Sequence, residues 1–228
     1  MPSRPRASLL LFIGILLCGD RAHSQLKKPL DPKMANTSYT FEVRPGLRFT
    51  FHVELDETST IRAVTVFREN ERTPFQTLPA CDYTGRMQLF EGDEQTAIVE
   101  HGDLNFDGYQ DVKLLTYLND HLGKKIFCVY LWAGNTNHFR YEKQLLIADP
   151  IPHPETKSIT SHSEYQGGTF ADSTYEWRGT KLVLVAEDGT RDNVRYPECG
   201  PIHFSRRLVN GRILTTDEDS ATCSEHQN

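Results

Sequence analysis

Short runs in which apolar or β-branched residues alternate with polar ones, separated by turn formers, recur along most of the chain. They fall at residues 39–43, 47–55, 61–67, 96–99, 112–118, 126–132, 139–147, 158–163, 173–177, 181–186, 202–208 and 212–214. A period of two puts successive side chains on opposite faces of a strand, so these runs predict strands with one face against a core. No long segment carries the 3.6-residue period of a helix. The turns Asn135-Thr136-Asn137, Arg178-Gly179-Thr180 and Asn210-Gly211 stand between consecutive runs, as hairpin connections should. The pattern predicts an all-β chain built of antiparallel meanders.

One internal echo bears on how the meanders are arranged. Tyr130-Leu131-Trp132-Ala133-Gly134 recurs as Tyr175-Glu176-Trp177-Arg178-Gly179, with each landmark displaced by 45 residues. Four-stranded propeller blades repeat at about 40–45 residues, which makes irregular, β-propeller-like meanders the leading architecture. A β-sandwich or barrel with both tryptophans as core anchors accounts for the pair equally well. Residues 37–216 form the expected single β domain, preceded by an extended arm at 25–36 with Pro29 and Pro32 and followed by an acidic tail at 217–228.

Between the runs at 96–99 and 112–118 lies Asp103-Leu104-Asn105-Phe106-Asp107-Gly108-Tyr109-Gln110-Asp111. Side-chain oxygens of Asp103, Asn105 and Asp107 at loop positions one, three and five match an EF-hand loop. So do Gly108 at six, the backbone carbonyl of Tyr109 at seven and Asp111 at nine. Position twelve is Leu114 instead of a bidentate glutamate, and Val112, Leu114 and Leu115 continue as a strand. The loop is thus expected to join strands, as the short integrin-like form does. A solvated Asx/Gly turn has the same composition. Against it, three carboxylates in nine residues repel one another unless a cation sits among them, and Ca2+ is the expected cofactor.

The chain starts with basic Arg4 and Arg6, an apolar run from Ala7 to Leu17 and a small-residue exit at Ala22-His23-Ser24. That is the layout of a secretory signal peptide (residues 1–24) cleaved before Gln25, so a periplasmic or secreted product is expected. The apolar run falls short of the ~20 residues of a membrane helix, and no later segment approaches that length. Leu17, where a lipobox has Gly, Ala or Ser, argues against a lipid anchor at Cys18. Loss of residues 1–24 removes three arginines and one aspartate and takes the formal net charge from −6 to −8. This balance argues against nucleic acid as a partner. Cys81, Cys128, Cys199 and Cys223 remain, an even set that permits two disulfides in any of three connectivities. Cys128, inside the apolar stretch 126–130, also fits a buried free thiol.

From Glu100 to Glu187 the chain resembles a family of exported bacterial proteins with integrin-like calcium loops. Several of these act as inhibitors or immunity proteins against lysozyme-like peptidoglycan hydrolases delivered by secretion systems. The landmarks are the loop at 103–111, then Val129-Tyr130-Leu131-Trp132, and then the stretch from Ser173 to Val185, in order and spacing. The resemblance implies a propeller-type fold and a protein partner, a lysozyme-like hydrolase. Such a cleft holds two carboxylates, and an inhibitor needs only a protruding, preorganised segment that offers it donors. Ser161-His162-Ser163-Glu164-Tyr165-Gln166-Gly167-Gly168-Thr169-Phe170 is the candidate: Gly167 and Gly168 permit a tight turn, while Ser163, Tyr165 and Thr169 supply hydroxyls. Glu164 would be repelled by carboxylates unless it points away. A plain hairpin loop is the simpler reading of the same residues.

The alternative function is a calcium-dependent glycan-binding or adhesion module. Enzymatic activity is not expected: no G-x-S-x-G elbow occurs, and His101 near Asp103 lacks further histidines at ligand spacing.

Overall fold

The computed structural model describes residues 28–35, 37–81, 87–90, 96–119, 124–165, 168–193 and 200–218. The expected signal peptide at 1–24, most of the expected acidic tail (from 219 on), Gly167, Cys199 and Cys223 lie outside the described residues.

Most of the alternating runs become strands. Sheet 1 consists of β1 (Ser38–Arg44), β2 (Leu47–Leu55), β3 (Ile61–Arg68) and β4 (Gln76–Pro79). Sheet 2 consists of β5 (Val99–Gly102), β6 (Asp111–Asn119), β7 (Lys124–Ala133) and β8 (His138–Tyr141). Sheet 3 consists of β9 (Ile151–His153), β10 (Ser158–Glu164), β11 (Phe170–Arg178), β12 (Lys181–Arg191), β13 (Ile202–Val209) and β14 (Arg212–Glu218). Each sheet is an antiparallel meander whose strand order follows the chain, and none closes on itself. The all-β meanders predicted from alternation are therefore present, without a closed barrel among the described residues.

The Tyr-x-Trp-x-Gly echo falls at equivalent places. Trp132 is on β7 and Trp177 on β11, the third strand of sheets 2 and 3, each just before the turn to the fourth.

β7 breaks the alternation because both of its faces are covered, with residues 126–132 buried in succession. Its even-numbered residues meet sheet 1: Cys128 is bonded to Cys81, the Tyr130 hydroxyl donates to the Pro79 carbonyl, and the Trp132 ring packs 5.4 Å from Phe49. Phe127, Val129 and Leu131 are buried on the opposite face, and β7 also contacts β10 and the 3-10 turn Lys143–Leu145. One continuous apolar cluster results, running from Phe49, Phe51 and Val66 of sheet 1 through sheet 2 to Ile159 of sheet 3.

The Cys81–Cys128 bridge, with Cα atoms 5.8 Å apart, selects one pairing from those the sequence left open and fits an oxidising compartment. No helix among the described residues is long and apolar enough to cross a membrane.

Candidate functional site

The Asp-rich loop follows β5, and Asp111 opens β6. Its turn is built from its own side chains. Asp103 accepts the backbone N–H of Asp107 on Oδ1 (3.1 Å) and that of Gly108 on Oδ2 (2.9 Å). Asp107 Oδ1 accepts the N–H of Tyr109 (3.0 Å), and the Asn105 amide donates to Asp107 Oδ2 (2.9 Å). Gly108, at φ +87°, takes a left-handed conformation that any Cβ would strain. The Tyr109 ring packs under Gly134, where an added Cβ would lie 3.3 Å from it.

Asp111 differs from the other acids. It is fully buried, and it accepts the backbone N–H of Leu104 on Oδ2 (2.8 Å) and that of Trp132 on Oδ1 (2.9 Å). Burial pushes its carboxyl up to about 8, against the pull of those two N–H bonds, and the nearby charges of Asp107 and Asp103 push the same way.

The loop touches all three sheets. Gln110 N–H donates to the Val43 carbonyl of β1 (2.8 Å), Asp111 binds Trp132 of β7, and the Trp177 indole N–H of β11 donates to the Leu104 carbonyl (2.8 Å). The Trp177 contact went unseen in the sequence, although the echo had marked that residue.

Calcium suits this donor set, since Asp103, Asn105, Asp107 and the Tyr109 carbonyl offer hard oxygens. The geometry is not a ready-made coordination shell. Among the described residues no three acidic, histidine or cysteine side chains gather as a metal group, because the loop's oxygens turn onto its own N–H groups. A groove of about 400 Å³ opens beside the loop, lined by Asn105, Asp107, Trp132, Gly134, Thr136 and Arg140.

The proposed partner loop lies elsewhere. The Tyr165 N–H donates to the Thr169 carbonyl (2.8 Å) and closes the tip of the β10–β11 hairpin. Tyr165 is 48% exposed, Ser163 is half-buried, and Gly168 is exposed at φ +78°. Thr169 is buried, so its side chain does not face outward as expected, because Phe170 already leads into the sheet. Glu164 is drawn back along the strand to His162 Nε2 (3.4 Å), and His162 Nδ1 meets Asp172 (2.6 Å). The Asp172 hydrogen bond, helped by Glu164, raises the His162 pKa. Behind the tip, Gly189 allows β11 to approach β12, since a Cβ there would run into the Phe170 carbonyl.

Lys124, which the sequence reading had not singled out, sets its ammonium 4.9 Å from the centre of the Tyr165 ring. Lys124 pairs with Asn119 at the far end of β6 from Asp111. At ~3.3 Å per residue, nine residues of strand separate the two regions by about 27 Å.

Fold and loop together define an all-β protein of three successive meanders pinned at one end by an Asp-rich loop. It is similar to a solved structure described as a Xanthomonas type IV secretion system related protein, with 15% sequence identity and a TM-score of 0.52. That match covers 85% of this chain and 100% of the other, and it shows a shared fold. No family model matches the chain, and no curated protein does.

Proposed function

We propose that the chain is an exported, calcium-stabilised binding protein that inhibits a lysozyme-like peptidoglycan hydrolase through the β10–β11 tip, without chemistry of its own. The observation that carries the reading is the division of the molecule. The Asp-rich loop is woven into all three sheets, while Tyr165 stands exposed on a closed hairpin tip beside Lys124, at the opposite end of β6. An ion in the loop would act as a structural tie, held by Asp103, Asn105, Asp107 and the Tyr109 carbonyl, with Asp111 fixing the loop from beneath. Ser163, Tyr165 and Gly168 would make the partner contact. Glu164 stays exposed beside His162, and the raised pKa of that histidine places a cation next to the carboxylate that would oppose an acidic cleft. The structural neighbour is described in connection with a type IV secretion system, and the family this chain resembles acts on hydrolases that secretion systems deliver.

The test is clearing of a peptidoglycan suspension by a panel of lysozyme-like hydrolases, with and without equimolar protein in calcium buffer. Suppression of one enzyme supports the reading, and full clearing by every enzyme sinks it. Tyr165→Ala should then weaken inhibition about thirtyfold, the loss of a ~2 kcal/mol anchor, with the melting temperature unchanged. Undiminished inhibition would remove the tip from the interface.

Calcium at a hundredfold its Kd should stabilise the fold by about 2.7 kcal/mol. Asp107→Ala should abolish that increment, which is read as the difference in thermal unfolding between calcium and chelator. A calcium response equal to wild type in Asp107→Ala would dismiss the loop as the site.

A second reading, calcium-dependent glycan binding, is favoured by the groove beside Asn105 and Asp107, where the Arg140 side chain could meet a sugar. Glycan binding that survives Tyr165→Ala and fails in Asp107→Ala would select it.

A further inference from the structure

Among the described residues, the outer strand of sheet 3, β14, has no strand on its far side. Residues 212–217 of β14 are all exposed, and Val209, Ile213 and Leu214 are large apolar side chains in water at 43%, 43% and 54% exposure. Other edges are short or blunted. β9 has three residues including Pro152, β4 has four ending in Pro79, and the Val43 carbonyl on β1 already receives Gln110. β14 has seven residues and no proline, and no charge between Arg212 and Asp217. A long edge whose central residues 213–216 carry no charge is a template for another strand, and natural proteins normally protect it.

The backbone phase shows which groups are on offer. Asn210 (φ +50°) and Gly211 (φ +76°) make a two-residue turn, and the register pairs Val209 with Arg212 and Arg207 with Leu214. Residues flanking such a turn bond to each other, so Arg212, Leu214 and Thr216 direct their N–H and C=O groups to β13. Those of Ile213, Thr215 and Asp217 point to the open side. Apolar side chains stand on both faces of the hairpin, Leu208 and Ile213 on one, Val209 and Leu214 on the other.

We infer that β14 is a self-association edge: two copies of this chain pair their β14 strands antiparallel about a two-fold axis, joining their six-stranded sheets into one. A two-fold axis perpendicular to the sheet requires facing residues of equal parity. Centring it on Thr215 sets Thr215 opposite Thr215 and Ile213 opposite Asp217 of the second copy, which are the residues with free backbone groups. About six inter-chain backbone hydrogen bonds form. The same register sets Leu214 against Thr216 and puts the basic position 212 opposite the acidic position 218 at each end, so charge is complementary under the symmetry. A second copy is thus the occupant that matches this edge in both hydrogen-bond phase and charge.

The test is sedimentation of the full chain across a concentration series, with Thr215→Pro alongside. Thr215 points its N–H outward, so proline there should block pairing and spare the β13–β14 bonds. A concentration-dependent dimer in wild type and a monomer with unchanged circular dichroism in Thr215→Pro are expected. A wild-type monomer at the highest attainable concentration overturns the inference, even if β14 captures a strand of another protein, and so does a dimer that persists in a folded Thr215→Pro. Hydrogen exchange of the wild type reads the same point without a variant. The amides of Ile213, Thr215 and Asp217 should be protected when concentrated and lose protection on dilution, and equal exchange at both concentrations counts against pairing.

Discussion

Trp132→Ala should cost about 4 kcal/mol of unfolding free energy, the largest loss expected from a single substitution. Trp132 is 1% exposed and lies where sheets 1 and 2 meet, with ring centroids of Phe139 at 5.0 Å, Phe49 at 5.4 Å and Phe75 at 6.2 Å. Alanine would leave a large void between two sheets whose hydrogen-bonded backbones cannot collapse to fill it. The edge-to-face contact with Phe139 would go as well. The bond from Trp132 to Asp111 uses the backbone N–H and survives the substitution. Urea unfolding should therefore show a lower midpoint while the added stability from calcium is kept. A loss below about 1 kcal/mol would mean that the sheet interface is not the main store of stability.

Removing the Cys81–Cys128 bridge with the double substitution to alanine should cost a comparable amount, about 4 kcal/mol for a loop of this length. The bridge spans 47 residues and ties the segment just after β4 to the middle of β7, so without it the unfolded chain regains the freedom of the loop that carries β5, β6 and the first half of β7. The double variant isolates this bridge, whereas a reductant would also act on any bond involving Cys199 or Cys223. Cys128 is fully buried, so reduction of the wild type should also be slow and follow local opening. Denaturant unfolding of the variant within about 1 kcal/mol of wild type would show that the closure contributes little.

Strand existence was legible for most of the predicted runs. β2 matches its predicted limits of 47–55, and β1 and β3 differ by one residue at an end, because one-sided burial imposes period two on the sequence itself; β6 and β7, buried on both faces, differ by one or two residues and were legible as apolar runs bounded by turn formers. The gaps have physical causes. β4 and β9 are short edge strands containing Pro79 and Pro152, and they exist only because β3 and β10 present backbone to them. The run predicted as strand from 139 to 147 stops at Tyr141. There the Glu142 side chain accepts the Gln144 N–H and caps a 3-10 turn that buries Leu145. The run predicted at 96–99 is displaced to Val99–Gly102, since its pairing is set by β6 across the Asp-rich loop.

By itself the sequence determined that this is an all-β chain of hairpins with a nine-residue Asp-rich turn, an exposed tyrosine loop and cysteines able to form bridges. These follow from local periodicity, from the conformational freedom of glycine and from the repulsion among close carboxylates. Only the tertiary structure decided that Cys81 pairs with Cys128, that Asp111 is buried and bound to the Leu104 and Trp132 N–H groups, and that Thr169 is buried. It also decided that Trp177 anchors the loop from 73 residues away and that, among the described residues, β14 has a neighbouring strand on one side only. Each of these depends on which sheet face another segment covers. Contacts between residues distant in sequence fix that, and local patterning carries no record of them.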